Sequence, residues 1–119
     1  MATRVLIYED DVIASMMLEL MMKDEGCTVL AKKDTADDLV GDVAEHEPDL
    51  ILLDIMLVGE KLGTQAAVEL RQSSNVPIIF TSALNDTDTL DVINSLSHAI
   101  LVGKPYDKDR LIAAMVKLV

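Results

Sequence analysis

The chain has 119 residues, a length that fits one compact domain and leaves no room for two independently folded halves. Half of its residues are hydrophobic and 26% are charged, which indicates a globular protein with a core and excludes an intrinsically disordered chain. The formal net charge is -11, from 21 acidic and 10 basic residues, and a field of that sign repels phosphate backbones and anionic lipid. We therefore expect no direct binding to nucleic acid or to a membrane.

The sequence also indicates where the protein is located and whether it can form disulfide bonds. No stretch approaches the roughly 20 apolar residues of a membrane-spanning helix, because Asp54 interrupts the most hydrophobic run, residues 50–58. The N-terminus carries no signal-peptide h-region or cleavage site, so we expect a cytoplasmic protein. A single cysteine, Cys27, excludes an intrachain disulfide and a paired Cys/His zinc site, and we expect it to be a small, partly buried hydrophobic residue.

Short apolar runs separated by helical periodicity indicate the order of the secondary structure. The runs are predicted as strands, at residues 5–8, 28–31, 50–53, 76–80 and 99–102. The first helix carries apolar residues at helical spacing that we expect to form its buried stripe, with the methionines as core filler: Ile13, Met16, Met17, Leu20 and Met21. This helix should end near Gly26.

Four further helices are predicted by the same criteria. The second carries a stripe of Ala36, Leu39, Val40, Val43 and Ala44, and residues 46–48 break it. The third is expected over residues 64–72, after a loop bracketed by Gly59 and Gly63, and the fourth over residues 86–96. The last helix should start from Asp107 as its N-cap. Its buried face is predicted to hold Leu111, Ala114, Met115, Leu118 and Val119.

This alternation predicts a doubly wound α/β fold, in which a five-stranded parallel sheet is covered by five helices on both faces. Ligands bind such sheets outside the carboxyl ends of the strands. Polar residues follow four of the predicted strands: Glu9, Asp10, Asp11, Asp54, Thr81, Ser82 and Lys104. We expect them to share one edge of the sheet, where Asp11 serves chiefly as a helix cap.

Carboxylates gathered at one edge repel one another by about 4 kcal/mol per close pair at an effective dielectric constant of about 20, so a cation is expected among them. Oxygen ligands without histidine or thiolate favour Mg²⁺, and no calcium-binding loop or glycine-rich phosphate motif is present. A carboxylate beside Mg²⁺ can attack phosphorus, and Asp54 fits that role, whereas Glu9 and Asp10 fit metal binding. Lys104 offers a point charge and Thr81 a hydroxyl for phosphoryl oxygens.

The ordered motifs resemble the receiver domains of two-component response regulators. The similarity covers the whole chain and rests on VLIYEDD at residues 5–11, PDLILLDIML at 48–57, PIIFTSA at 77–83 and the pair Lys104 and Pro105. No single motif is decisive, whereas the ordered set is specific. The resemblance implies a flavodoxin-like receiver fold in which residues 1–119 form one phosphoacceptor domain.

The resemblance also implies a function. Asp54 would accept a phosphoryl group from a phosphohistidine on a sensor histidine kinase or a histidine phosphotransfer protein, so the chain would catalyse only its own phosphorylation and dephosphorylation. Thr81 and Lys104 would contact the phosphoryl group, and the bond between Lys104 and Pro105 would be cis. The implied Mg²⁺ ligands are Asp10, Asp54, the backbone carbonyl of Met56 and, through water, Glu9.

Two positions depart from the family pattern. Members usually carry an aromatic residue two or three positions before the Lys-Pro pair, whereas residues 100–103 are Ile, Leu, Val and Gly. Aromatic switching of the usual kind is therefore not expected. Tyr106, just after the pair, is predicted to serve in packing, and the alternative is that it substitutes for the missing aromatic residue. Val58 stands where proline is common, which predicts a looser loop after Asp54.

If the chain ends at Val119, we expect it to signal by contact with a downstream protein, through the fourth helix, the last strand and the last helix. Two other functions stay open. A Mg²⁺-dependent phosphohydrolase usually has a second acid two residues after its nucleophile, where this chain has Met56. A pseudo-receiver would be an interaction module that is never phosphorylated.

Overall fold

The computed structural model describes residues 2–83, 87–104 and 107–118. Within these ranges five strands alternate with five helices. The strands are β1 (Arg4–Tyr8), β2 (Thr28–Lys33), β3 (Leu50–Asp54), β4 (Ile78–Ser82) and β5 (Ala99–Gly103). The helices are α1 (Val12–Asp24), α2 (Leu39–His46), α3 (Gly63–Leu70), α4 (Thr87–Ser95) and α5 (Lys108–Leu118).

The strands form one parallel sheet in the order β2-β1-β3-β4-β5. The chain winds outward from β1 to β2 and then returns past β1 to start β3. The winding direction thus reverses between β1 and β3, and a crevice opens where their carboxyl ends diverge. This arrangement confirms the predicted doubly wound fold.

Each face of the sheet carries its own hydrophobic layer. On one face α2, α3 and α4 pack through Leu39, Ala67, Leu70 and Ile93. On the other face α1 and α5 pack through Leu18, Met22, Leu111 and Ala114. Every residue of β3 and β4 is buried, as a continuous apolar run covered on both sides requires.

Strands β2 to β5 extend beyond the carboxyl ends of the apolar runs that predicted them, and β4 begins at Ile78, two residues after its predicted start. Lys33 belongs to β2 because it pairs with Tyr8 of β1. Asp54 belongs to β3 and pairs with Thr81 of β4, and Ser82 continues that strand. Backbone pairing does not depend on side-chain polarity, so polar residues at a strand's end continue the ladder.

The predicted buried stripe of α1 is wrong. The helix turns Ser15, Leu18 and Met22 toward the sheet. Of the five residues predicted to be buried, Met21 is half-buried, whereas the other four are exposed: Ile13, Met16, Met17 and Leu20. The sequence VIASMMLELMM is apolar on nearly every side of the helix, so spacing alone could not choose between two stripes.

The other helices agree more closely with prediction. In α2, Leu39, Val40 and Val43 pack inward as expected, but Ala44 is exposed and the buried Ala36 precedes the helix. His46 ends α2 because Glu47 adopts a left-handed conformation, with φ 49°, before Pro48.

Side-chain caps start two helices as predicted. Asp11 accepts a hydrogen bond from the backbone N–H of Ala14 at 3.0 Å, and Asp107 accepts one from Arg110 at 2.8 Å. Cys27 is buried, and its sulfur lies 3.9 Å from that of Met115. Predictions that fall on Asp86, Pro105, Tyr106 and Val119 lie outside the described residues. No helix in the described ranges is long and apolar enough to cross a membrane.

Candidate functional site

The carboxyl edge of the sheet brings the polar strand-end residues together. Glu9 follows β1 and is fixed by its backbone N–H, which donates to the carbonyl of Lys33 at 2.9 Å. Asp54 ends β3 beside Thr81. The backbone N–H of Lys104 donates to the carbonyl of Ser82 at 2.8 Å, so β5 delivers this lysine to the same edge.

Three carboxylates form the centre of this edge. Glu9, Asp10 and Asp54 each place one oxygen within 4.8 Å of the others. Glu9 and Asp54 are only 4% exposed, whereas Asp10 is more open to solvent. Buried like charges at this distance repel strongly, so the cluster needs positive charge nearby.

Lys104 supplies part of that charge. Its Nζ donates to Oδ2 of Asp54 at 2.8 Å and to Oε1 of Glu9 at 3.1 Å. Burial opposes a charged lysine, but the hydrogen bonds to these two carboxylates outweigh it and raise the pKa of Lys104. Burial, followed by the neighbouring carboxylate of Asp54, raises the pKa of Glu9 to about 7 although Lys104 opposes the shift. One lysine therefore offsets the acidic cluster only in part.

Two buried polar atoms at this edge lack a partner among the described residues, namely Oε2 of Glu9 and Oγ1 of Thr81. Buried polar groups are normally satisfied, and each exception calls for an explanation. A carboxylate oxygen without a donor fits a cation ligand, and an all-oxygen donor set fits a hard cation such as Mg²⁺. The free hydroxyl of Thr81 can donate to an incoming anionic oxygen.

The loop between β3 and α3, residues 55–62, starts and ends beside Asp54. The N–H of Met56 donates to Oδ1 of Asp54 at 3.1 Å. The N–H of Gly63 donates to the carbonyl of Ile55 at 2.8 Å, and a Cβ on Gly63 would lie 2.3 Å from the carbonyl oxygen of Asp54. From the sequence, Gly63 is predicted only to bound a loop. A glycine at the first helical position, where it is not favoured, was a signal of this close contact.

A cavity of about 530 Å³ opens above the acidic cluster. Glu9, Asp54 and Lys104 form its polar floor, and Met17 and Met56 contribute apolar wall. The wall continues into the exposed side of α1, which we call the α1 face: Val12, Ile13, Met16, Met17 and Leu20. Val12 and Ile13 are 72% and 71% exposed, so this is an apolar surface beside a charged pocket.

These features place the chain in a known class. Its residues 5–116 match the response regulator receiver domain family, and the chain belongs to that family. The resemblance noted in the sequence is therefore confirmed.

Two relatives show how far the similarity extends. The DNA-binding response regulator MtrA of Mycobacterium tuberculosis is 35% identical over 115 residues, which cover 95% of this chain and 49% of that protein. The uncharacterized transcriptional regulatory protein YbdJ of Bacillus subtilis is 34% identical over 113 residues, which cover 94% of this chain and 48% of that protein. The chain thus spans about half the length of these relatives.

Solved structures agree with the fold. The signal receiver domain of a modulated diguanylate cyclase from Desulfovibrio desulfuricans is 28% identical, with a TM-score of 0.88 over 99% of this chain and 94% of that chain. The chemotaxis protein CheY4 of Vibrio cholerae has a TM-score of 0.87 over 100% of both chains. Its identity is 15%, so that likeness concerns the fold alone.

Proposed function

We propose that this receiver domain takes a phosphoryl group onto Asp54, in a Mg²⁺-dependent reaction, from a phosphohistidine on a sensor histidine kinase or a histidine phosphotransfer protein. The chain would act in the cytoplasm and catalyse only its own phosphorylation and dephosphorylation. The observation that carries the proposal is the position of Lys104, which contacts the buried carboxylate of Asp54 directly at the end of β3, where Thr81 is the paired residue of β4.

In the proposed step a carboxylate oxygen of Asp54 forms a bond to phosphorus while the phosphorus–nitrogen bond of the phosphohistidine breaks. The imidazole nitrogen keeps the electron pair of the broken bond and takes a proton from solvent. Lys104 would move from the carboxylate oxygen to a phosphoryl oxygen, and Thr81 would donate its hydroxyl hydrogen to another.

Metal binding would involve four residues: Asp10, Asp54, the backbone carbonyl of Met56 and, through water, Glu9. The mutual approach of the three carboxylates supports this assignment, as does Oε2 of Glu9, which has no partner in the part of the chain that the structure describes. When bound, Mg²⁺ would neutralise the charge that accumulates on the transferred oxygens. The chain's own part is to hold the carboxylates close together, with Lys104 beside them.

A protein phosphodonor is supported by the α1 face. A donor histidine can reach Asp54 only from the side on which the cavity opens, and Met17 and Met56 border that opening. A protein seated there would cover the apolar side chains of the α1 face, whereas a small phosphodonor would leave them exposed. We therefore propose that the α1 face is covered during phosphoryl transfer.

We further propose that the response reaches a downstream protein through α4, β5 and α5. Thr81 pairs with Val102 of β5, so a shift at its hydroxyl acts directly on the neighbouring strand. In the described part of α4, Ile93 is the one buried residue, which leaves this helix weakly anchored. Amide exchange with and without a phosphoryl mimic should differ in these three elements, and unchanged protection there would contradict the proposal.

Intact mass spectrometry after incubation with Mg²⁺ and acetyl phosphate tests the chemistry. A stable addition of one phosphoryl group, lost in Asp54→Asn, would support the receiver function. Rapid consumption of the donor with no lasting adduct would support the phosphohydrolase, and neither adduct nor turnover would support the pseudo-receiver. Either of the last two results would overturn the proposal.

A further inference from the structure

Asp37 lies between β2 and α2, 17 positions before Asp54 in the sequence, and its carboxylate contacts the second half of the β3–α3 loop. Oδ1 accepts hydrogen bonds from the backbone N–H groups of Glu60 at 3.0 Å and Lys61 at 3.1 Å. Oδ2 lies 3.3 Å from the same nitrogen of Glu60. A charged acceptor makes such bonds stronger than those between neutral groups.

The side chain of Lys61 reinforces this contact. Its Nζ donates to the backbone carbonyl of Asp37 at 3.4 Å and forms an ion pair with Glu69 of α3 at 2.7 Å. The loop is therefore joined both to the segment before α2 and to the helix that follows it.

Gly59 allows the loop to approach Asp37 so closely. Its φ of 108° is a conformation that residues with side chains rarely adopt. A Cβ at this position would also lie 2.9 Å and 3.0 Å from the two carboxylate oxygens of Asp37. A side chain there would force either the carboxylate of Asp37 or the loop to shift. Both the backbone conformation and the space at residue 59 thus suit this contact.

The contact completes the fixation of the loop. Its ends are held beside Asp54, through the N–H of Met56 at one end and Gly63 at the other. Between them, Asp37 holds Glu60 and Lys61, in the second half of the loop, from the segment between β2 and α2. The loop that begins beside Met56 is thus held at three points rather than two.

We propose that Asp37 is a positioning residue for the phosphoacceptor site, which holds the β3–α3 loop so that the backbone of Met56 stays within reach of the metal. The inference rests on the proposed function, because it assigns Asp37 a role in the metal binding and phosphorylation proposed above. Asp37 touches no reacting atom and acts only through the loop.

Three variants test the inference. Asp37→Ala removes both acceptors, Asp37→Asn keeps one oxygen that can accept from Glu60 and Lys61, and Asp38→Ala removes a neighbouring charge that makes no side-chain cap. Mg²⁺ affinity is measured by titration without a phosphodonor, and phosphorylation by acetyl phosphate is measured at saturating Mg²⁺. Amide exchange at Glu60 and Lys61 reports the contact itself, and thermal unfolding reports the global stability.

We expect Asp37→Ala to weaken Mg²⁺ binding about tenfold, the loss expected for one charge-assisted contact, with faster exchange at Glu60 and Lys61. Its phosphorylation rate at saturating Mg²⁺ should fall less, because metal binding restores the loop. Asp37→Asn should recover most of the Mg²⁺ affinity, and Asp38→Ala should match the wild type. If the role of Asp37 were purely structural, Asp37→Ala would lower the unfolding temperature without affecting Mg²⁺ affinity more than the phosphorylation rate.

Several outcomes would overturn the inference. Wild-type Mg²⁺ affinity in folded Asp37→Ala would do so, as would an Asn variant no better than the Ala variant. If Asp37→Ala does not fold, Gly59→Ala serves instead, because its Cβ disturbs the same contact with Asp37. Unchanged Mg²⁺ affinity in Gly59→Ala would also overturn the inference. A wild-type chain that takes no phosphoryl group refutes the proposed function, whereas a phosphorylated wild type indistinguishable from Asp37→Ala refutes only this inference.

Discussion

Nζ of Lys104 lies 2.8 Å from Oδ2 of Asp54, and this contact joins two strands that are not neighbours in the sheet. Asp54 ends β3 and Lys104 follows β5, with β4 and its Thr81 between them. Phosphorylation of Asp54 would replace the carboxylate oxygen by phosphoryl oxygens as the partner of Lys104. Lys104, at the end of β5, would then contact a larger anion. This contact would connect phosphorylation of Asp54 to the surface that we propose for the downstream protein, α4, β5 and α5.

The first prediction concerns pH. The pKa of Glu9 is raised from 4.5 to about 7, so the folded chain keeps a proton that the unfolded chain releases over that range. Stability from this group is fully present below pH 4.5 and is lost as the pH rises to 7. Without Mg²⁺, the free energy of unfolding of the wild type should fall between pH 4.5 and 7. The fall should exceed that of Glu9→Gln by roughly 1 to 3 kcal/mol.

Urea unfolding at a series of pH values, with a chelator present, measures this difference. Glu45→Gln is the matched control, since Glu45 is an exposed acid on α2. The control should keep the pH dependence of the wild type. If Glu9→Gln keeps it too, Glu9 is not protonated in the folded chain.

The second prediction concerns the metal. A ligand that binds only the folded chain stabilises it by about 1.4 kcal/mol at ten times its dissociation constant. Mg²⁺ should therefore raise the unfolding temperature of the wild type, and much less so that of Asp10→Asn. Asp91→Asn removes the same charge from α4 and should respond as the wild type does. If Mg²⁺ raised the unfolding temperature of all three chains equally, Asp10 would not be a metal ligand.

The third prediction concerns Gly63. A Cβ on this residue would overlap the carbonyl oxygen of Asp54, so Gly63→Ala must displace either α3 or the end of β3. We expect a loss of roughly 1 to 3 kcal/mol in the free energy of unfolding, together with slower phosphorylation by acetyl phosphate.

Gly41 provides the control for Gly63. It lies within α2, and a Cβ there would meet nothing within 4 Å. Gly41→Ala should stabilise the chain by about 0.5 to 1 kcal/mol, because alanine loses less backbone entropy in a helix. Equal effects of the two substitutions would show that the contact with Asp54 has no energetic consequence.

The fourth prediction concerns the α1 face. Ile13→Ser should slow phosphoryl transfer from a phosphorylated histidine phosphotransfer protein about tenfold, the effect of losing one buried anchor side chain at an interface. Phosphorylation by acetyl phosphate should be unchanged, because a small donor does not cover the α1 face. Purified donor and receiver, mixed and sampled over time, provide both rates.

Val116→Ser is the control for this experiment. Val116 lies on α5 and is 71% exposed, as Ile13 is, but it does not belong to the α1 face. It should transfer as the wild type does. A protein donor that phosphorylates Ile13→Ser at the wild-type rate would show that the donor docks elsewhere.

The sequence predicted the fold and the central residues of the candidate site because both follow from element order. Once strands alternate with helices, the carboxyl ends of the strands meet at one edge, and Glu9, Asp54 and Lys104 are there whatever the details of packing. The polar character of these residues against apolar strands made them visible. The sequence does not give the distances between these three side chains. The structure supplies them.

Other features of the site could not be predicted. Met16 and Met17 occur at the helical spacing that is typical of buried residues. The prediction that they are buried is therefore wrong for a reason that the spacing does not reveal, since α1 is apolar on nearly every side. The contacts of Gly63 with Asp54, and of Asp37 with the β3–α3 loop, depend on the approach of two backbone segments. Gly63 at the first position of a helix signals a close contact, but no residue pattern specifies which backbone it meets, and no pattern at all indicates the contact of Asp37.

The most direct test of the central claim is to locate the phosphoryl group. Borohydride reduces an aspartyl phosphate to homoserine, so treatment of the phosphorylated chain followed by peptide mass spectrometry marks the acceptor. We predict homoserine at residue 54, dependent on Mg²⁺ and absent from Asp54→Asn. Reduction at Glu9 or Asp10 instead, or at no residue, would contradict the account.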